Sequence, residues 1–386
     1  MIDLTALFGP KGAPGDDITF RAFPRRGPER WLLEAHYRRP LHLETWPRAN
    51  RRAQIIYGAA RILGAFGLRL PSRRVVLRIA DGSRYDLYRR RFDALAVFLG
   101  TAGPNRKFVV FAKKGATAWF IKLPIGAQSL ALALTEAATL NALAEDTELA
   151  GLVPRCFWIG DALALEDVRS TGATYAPLDN KEVLRVHDLL FARSQTDVPL
   201  EDLLQRLKSP NLTTAPHPKR DIAARIDRAR RAAHAFLETF PPETIVACYD
   251  AHGDFTRWNV LRAPDGTARI IDWELFGLRP KFFDPFHYKV SQAILVHRTP
   301  AKAILKQIDK IAIQTLDRTS IMMYFGLYLV SQVSYYGEVY ERQEEQGAQL
   351  YWSLETWTDL LVYLAKAHLE ANTANAVCTE NLGVAQ

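Results

Sequence analysis

The stretch "AHGDFTRWNVLRAPDGTARIIDWE", residues 251–274, sets His-Gly-Asp ahead of an asparagine, then runs into an apolar segment that ends in a second acid. Asp254, Asn259 and Asp272 are oxygen donors held close in sequence and flanked by apolar residues. That inventory suits a divalent cation and the steering of a proton. Mg²⁺ takes oxygen ligands, keeps several waters and uses only one or two carboxylates. Moving a phosphoryl group from a nucleotide makes the same demand, because its catalysis is mainly positioning and charge neutralisation around Mg²⁺. One carboxylate must meet the acceptor hydroxyl, while the other, with an amide, holds the metal. Gly253 permits an unusual backbone at the loop. "IIDWE" delivers Asp272 from the end of an apolar strand, a rigid base for a ligand.

Working outward, the first half of the chain reads as strands. "ALAVFLG", "KFVVFAK" and "ATAWFIKL" are β-rich runs, "QSLALALTEAATLNALAED" is helical by propensity, and "PRCFWIG" and "ALALEDV" are two more strands joined at Gly160-Asp161. Asp81-Gly82 between apolar-rich runs is a hairpin signal. Residues 1–30, rich in Gly, Pro and Arg, suggest a loose or wrapping arm, and Arg51 to Leu70 has helical spacing. After Val168 the texture turns helical, over about Asp179–Ser194, Leu200–Lys208, Arg220–Phe240 and again from Asp284. The expectation is an α+β protein with a mostly β first lobe and a mostly helical second lobe, joined near Val168 with a cleft between them.

"HGDFTRWNVL" followed by "IIDWE" resembles the catalytic loop and metal-binding segment of the aminoglycoside phosphotransferase and choline kinase group, relatives of the protein kinases. The pattern is matched at His252, Gly253, Asp254, Asn259, Asp272 and Trp273, and "FFDPFHY" is similar to the group's Asp-Pro segment. The resemblance implies a bilobal protein-kinase-like fold. It makes Asp254 the catalytic base, gives Asn259 and Asp272 to Mg²⁺, leaves His252 to support the loop and makes Asp284 a structural acid. It covers roughly Ala94 to Leu361, so about 90 basic N-terminal residues stand outside it.

A first lobe of that kind needs a lysine on its third strand to contact phosphates, a glutamate to hold the lysine, and a flexible loop above. Lys122 ends the apolar strand "ATAWFIKL", and Glu136 is the sole acid between Gln128 and Ala144 on an apolar helix, where it needs a partner. The bland alternative is an exposed pair. Gly100 and Gly103 free the loop "LGTAGPNRK", in which Arg106 and Lys107 are either phosphate contacts or surface charges. "LALEDV" resembles the linker between lobes, which implies that backbone groups near Glu166 and Val168 meet adenine. The resulting division is 1–90 basic extension, 91–168 nucleotide-binding sheet, 169–372 helical catalytic lobe and 373–386 frayed tail.

Residues 1–120 carry 23 Lys and Arg against nine Asp and Glu, a net of +14, whereas the whole chain is +8. A basic third can meet phosphates, an anionic membrane face or nucleic acid. The absence of helix-turn-helix, zinc-finger and RNP-like patterns argues against nucleic acid. Three scattered cysteines fit a reducing compartment, and the first twenty residues do not read as a secretory signal. The expected location is cytoplasmic, with peripheral contact at the inner membrane face through residues 1–90 left open.

The leading reading is a small-molecule kinase that uses ATP, with GTP left open, and Mg²⁺. The basic N-terminal third leans the acceptor towards a sugar or glycan. A cationic acceptor, an aminoglycoside or choline, is the alternative, and "ERQEEQ" at Glu341–Gln346 with Tyr335, Tyr336 and Tyr340 could serve it. The other readings are a protein kinase, an inactive nucleotide-binding scaffold and an anionic-surface binding protein.

Overall fold

Successive side chains of a strand point to opposite faces, and the central strands are apolar at consecutive positions, so each buries two faces at once. In "KFVVFAKK", Phe108, Val110 and Ala112 enter one core, shared with Phe20, Tyr85, Val97 and Ile121, while Phe111 enters another with Phe23, Trp31, Leu33 and Ala118. A computed structural model describes residues 3–45, 51–66, 68, 70–101, 103, 105–206, 220–312, 318–341 and 348–383. It divides into two units: Met1–Pro177 with Arg257–Leu275, and Leu178–Thr256 with Phe276–Gln386.

The first unit is built on an eight-stranded antiparallel sheet. Its strands are β1 (Gly15–Phe23), β2 (Trp31–Glu34), β3 (Arg73–Ala80), β4 (Ala94–Phe98), β5 (Lys107–Lys114), β6 (Thr117–Pro124), β7 (Cys156–Ile159) and β8 (Ala162–Glu166). Their spatial order is β3-β1-β2-β4-β5-β6-β8-β7. The helix Ala127–Glu145 follows β6, and its Gly126 cap closes with Ser129. A small sheet of Thr174–Tyr175, Val260–Arg262 and Ala268–Ile270 completes the unit. The unit therefore includes the segment that carries Asn259 and Asp272.

Two expectations are corrected here. Residues 15–23 form no loose arm: β1 pairs with β3 from Gly15↔Ala80 to Ala22↔Arg73 and with β2 on its other side. The Gly, Pro and Arg content hid a period of two in which Phe20 and Ala22 are fully buried. Asp81-Gly82 does not turn into a second strand either. Ser83 accepts from Asp86 N at 3.4 Å, Asp86 Oδ2 accepts from Gly82 N at 2.9 Å, and the chain enters the helix Arg84–Arg91. A side-chain cap at both ends of the first turn overrides the hairpin signal. Tyr85 and Tyr88 bury one face of that helix, and Tyr85 donates to the buried Glu34 at 2.9 Å.

The second unit is mostly helical. A three-stranded sheet, Thr196–Pro199, Ile245–Ala251 and Gly277–Pro280, is accompanied by the helices Asn180–Ser194, Leu200–Arg206, Arg220–Leu237, Phe283–Leu295, Ala301–Ala312, Arg318–Glu341 and Ala348–Gly383. The last helix runs on to Gly383, where the sequence suggested fraying from residue 373. Among the described residues, no helix is long and apolar enough to cross a membrane.

Candidate active site

In the first unit, β6 ends at a buried lysine. Lys122 Nζ donates to both carboxylate oxygens of Glu136, at 2.8 and 2.7 Å, and to Asp272 Oδ1 at 2.6 Å. Glu136 is fully buried and Lys122 is 7% exposed, so the exposed-pair alternative fails. The sheet fixes the lysine: Lys122 pairs with Val109 on β5 and Leu163 on β8. Asp272 follows the short strand Ala268–Ile270 and takes φ +69, a left-handed conformation costly for an acid outside a turn. Trp273, fully buried, donates to Ile270 O at 2.9 Å and anchors the segment behind it.

Glu274 joins this group without having been singled out in the sequence. It forms an ion pair with Lys107 and lies 3.7 Å from Lys122 Nζ. Glu136, Asp272 and Glu274 present oxygens within 4.8 Å of one another. Three carboxylates thus face two ammonium groups. Burial alone would lower the Lys122 pKa, but Asp272, Glu136 and Glu274 reverse that and raise it. Burial raises the pKa of Glu136, and the neighbouring Asp272 and Glu274 oppose the relief that Lys122 gives. Burial is the larger influence on Glu136, whereas on Lys122 the three carboxylates outweigh it, and the group as a whole carries a surplus of negative charge. A further cation would relieve that surplus.

Asn259, buried, and Asp272 line the same cavity of about 370 Å³, together with Lys122, Phe120, Leu165 and Val168. A carboxylate and an amide oxygen on one wall are hard donors of the kind Mg²⁺ accepts. Glu166 and Val168 also line this cavity. The Glu166 side chain turns to Arg155, which donates to it at 2.8 and 3.0 Å, and the Glu166 N–H donates back to Arg155 O at 2.9 Å. Gly100 and Gly103 are not among the residues of the wall. They sit in the β4–β5 loop, at φ +73 and +145. At Gly100 an added Cβ would collide with the Lys107 carbonyl oxygen, so the close return of this loop requires glycine. Arg106 is engaged locally, with Nε donating to Leu99 O at 3.1 Å.

The N-terminal extension also reaches this cavity. Glu44 and Thr45, from the 3₁₀ turn Leu41–Thr45, form part of its wall. Arg169 binds Glu44 at 3.0 Å and Asp167 at 2.7 Å, and Trp31 Nε1 donates to Thr45 Oγ1 at 3.0 Å. No local pattern in the sequence announced these two residues, because their place depends on β2 lying beside β4.

Asp254 belongs to the second unit, on the loop that follows Ile245–Ala251. Asp284 clamps that loop: its carboxylate accepts from His252 N at 2.8 Å and from Gly253 N at 3.1 Å. Asp284 is itself fixed at the first turn of Phe283–Leu295, where its own N–H donates to Tyr249 Oη at 3.2 Å. Burial raises the Asp284 pKa, against the lowering effect of His252 and the two amides. His252 is fully buried, and its Nδ1 accepts from Asp254 N at 3.2 Å. One turn beyond Asp284, His287 Nε2 lies 3.0 Å from Asp254 Oδ1. His287 lies on the helix Phe283–Leu295, inside the quoted "FFDPFHY", and no local pattern in the sequence marks it as a partner of Asp254.

No protein-family model and no curated protein matches the chain. Among solved structures it is similar to the choline kinase LicA from Streptococcus pneumoniae, at 14% identity, over 67% of this chain and 89% of that one, with a TM-score of 0.45. It is also similar to a spectinomycin phosphotransferase in complex with ADP and spectinomycin, at 16% identity, over 72% and 93%, with a TM-score of 0.42. A microcompartment-associated aminopropanol kinase gives 14%, 74% and 96%, with a TM-score of 0.40.

Proposed function

We propose that this chain is a phosphotransferase of the protein-kinase-like class, which moves the terminal phosphoryl group of ATP to a hydroxyl of a small molecule. The observation that carries the reading is Lys122, held by buried Glu136 and touching Asp272 at 2.6 Å, on the wall of a cavity that Asn259 shares. A buried ammonium, an acid to hold it, and a second acid with an amide are what a nucleotide's phosphates require of a protein.

In this reading Lys122 orients the phosphates and Glu136 holds Lys122. Backbone groups at Glu166 and Val168 meet the base, and the loop with Gly100 and Gly103 covers the phosphates. Asn259 and Asp272 would hold Mg²⁺, which supplies charge neutralisation on the phosphates when bound. Asp254 accepts the proton of the acceptor hydroxyl as its oxygen bonds to the terminal phosphorus and the bond from that phosphorus to the leaving ADP breaks.

The acceptor leans towards a sugar or glycan, on the strength of the +14 net charge of residues 1–120. A cationic acceptor is the second reading, favoured by the aromatic cluster of Tyr335, Tyr336 and Tyr340, whose neighbouring rings are 5.0 and 5.5 Å apart. Glu341 gives that reading little help, since it is engaged by Arg230 at 2.5 Å, and residues 342–346 of the acidic run lie outside the described residues. Thermal-shift titration with Mg²⁺-ATP, followed by a hydroxyl-acceptor panel, tests both. Asp272→Ala should abolish the metal-dependent shift, and Asp254→Ala should lower turnover by a factor on the order of 10² while leaving the shift intact. A parent protein with no nucleotide shift, or an Asp272→Ala variant that behaves as the parent, would overturn the assignment.

A further inference from the structure

We propose that a second cavity of the first unit, bounded by the 3₁₀ turn Leu41–Thr45, the helix Arg51–Ala65 and β5, binds a small phosphomonoester whose organic part is apolar. The cavity holds about 520 Å³, an ordinary size for a small-molecule site. Three basic residues reach its wall from three places in the chain: Arg39 from just before the turn, Arg61 from the helix and Lys113 from β5. Lys113 stands two residues beyond Phe111, so both project from one face of β5. Arg61 reaches over the anchored side of its helix. Its Nη1 donates to Tyr57 Oη at 3.4 Å, and Tyr57 is buried in a cluster with Leu43 and Ala60. Gly64 closes that side against Pro40, where an added Cβ would lie 2.7 Å from Pro40 Cδ.

Charge and lining together select the ligand. Among the described residues, none of the three cations is paired with a carboxylate, and the Tyr57 hydroxyl that Arg61 meets is neutral. The acid on the wall, Glu44, is engaged by Arg169 at 3.0 Å. Three like charges around one concave wall repel one another, and a phosphate carrying nearly two negative charges relieves that repulsion. The forked guanidinium groups of Arg39 and Arg61 match phosphate oxygens, and Lys113 adds a point charge. The remaining wall, with Pro40, Leu41, Leu43 and Phe111, offers hydrocarbon, so the group that carries the phosphate is one that gains from leaving water. This cavity is separate from the one that holds Lys122, Asn259 and Asp272: among the described residues, Glu44 alone lies on both walls. The proposal is independent of the phosphotransferase reading and stands or falls without it.

The test is isothermal titration calorimetry of the full chain with phenyl phosphate, inorganic phosphate and phenyl glucoside. Phenyl phosphate should bind, and inorganic phosphate should bind about tenfold more weakly for want of the ring. Phenyl glucoside, which keeps the ring without the charge, should not bind. Arg39→Gln, Arg61→Gln and Lys113→Gln should each weaken phenyl phosphate by about fivefold, the loss of one charge-assisted contact at a partly open site. Lys107→Gln, on the wall of the other cavity, should leave that affinity unchanged and so separates the two sites. Arg39 and Arg61 are exposed and Lys113 is half-buried, so the melting temperature should hold in all three variants and confirm that they fold. The proposal is overturned if phenyl phosphate does not bind, or if phenyl glucoside or inorganic phosphate binds as tightly. It is equally overturned if the three variants bind as the parent does, or if Lys107→Gln costs as much as Arg61→Gln.

Discussion

His287 Nε2 lies 3.0 Å from Asp254 Oδ1, and the other nitrogen of the same ring, Nδ1, lies 3.1 Å from the hydroxyl of Tyr328. An ionised carboxylate can only accept, so Nε2 carries the proton that bridges to Asp254. With that tautomer, Nδ1 accepts from Tyr328. The imidazole, 6% exposed, therefore fixes one oxygen of Asp254.

If Asp254 receives the acceptor's proton, His287→Leu should lower kcat by about tenfold or more with little change in KM, because the loss falls on orientation in the transition state. His287→Asn, which retains a donor, should recover part of that loss. Tyr328→Phe should cost less than either. Equal losses in the Leu and Asn variants, accompanied by a lowered melting temperature, would mean that the ring serves packing alone.

Gly326, in the helix Arg318–Glu341, faces the ring of Phe236 so closely that a Cβ there would fall within it. Both residues are fully buried. Gly326→Ala should therefore destabilise the protein by about 1–3 kcal/mol through overpacking. Chemical denaturation should show this as a lower midpoint at unchanged slope. Phe236→Leu in the same chain should return part of the loss, so the two changes should combine non-additively.

His187 is 1% exposed among Phe191, Tyr249 and Phe282, and neither ring nitrogen has a hydrogen-bond partner among the described residues. Burial, and then the nearby Lys281, lower its pKa from 6.5 to about 3. In the unfolded chain the ring takes its proton near pH 6.5. Between about pH 6.5 and 3 the unfolded state thus binds more protons, and stability falls as pH falls, by up to about 1.4 kcal/mol per pH unit for this ring. His42, stacked on Phe23 at 3.9 Å, adds a parallel contribution, with its pKa lowered by burial and Arg21 to about 3. His187→Phe should flatten the acid side of a plot of melting temperature against pH. An unchanged slope would show that the ring is not held neutral.

What could be read from the sequence, and what could not, follows the range of the interactions. Lys122 and Glu136 were legible because each is a charge out of place, one at the end of an apolar strand and one alone on an apolar helix. Their 2.7 Å pairing is the simplest answer to both anomalies. The strands from Ala94 to Glu166 announced themselves by alternation. Glu274 and Lys107 were on the page but ambiguous, since nothing local separates a charge facing solvent from one facing a buried group. Glu44 and Thr45 were invisible, because strand order, rather than any neighbour in sequence, brings them to the cavity. The first strand is masked by its Gly, Pro and Arg neighbours, and only the period of two at Phe20 and Ala22 betrays it.

The pairing of β2 with β4, from Trp31↔Phe98 to Leu33↔Ala96, decides how the chain can be shortened. Cutting at residue 90, where the motif-bearing part begins, would strip a flank from the sheet and leave the backbone donors and acceptors of β4 bare beside Val97 and Leu95. Such an edge recruits the next molecule. A truncated protein should precipitate rather than report on the loop at Asp254, so the first ninety residues are scaffolding for the lobe that follows them.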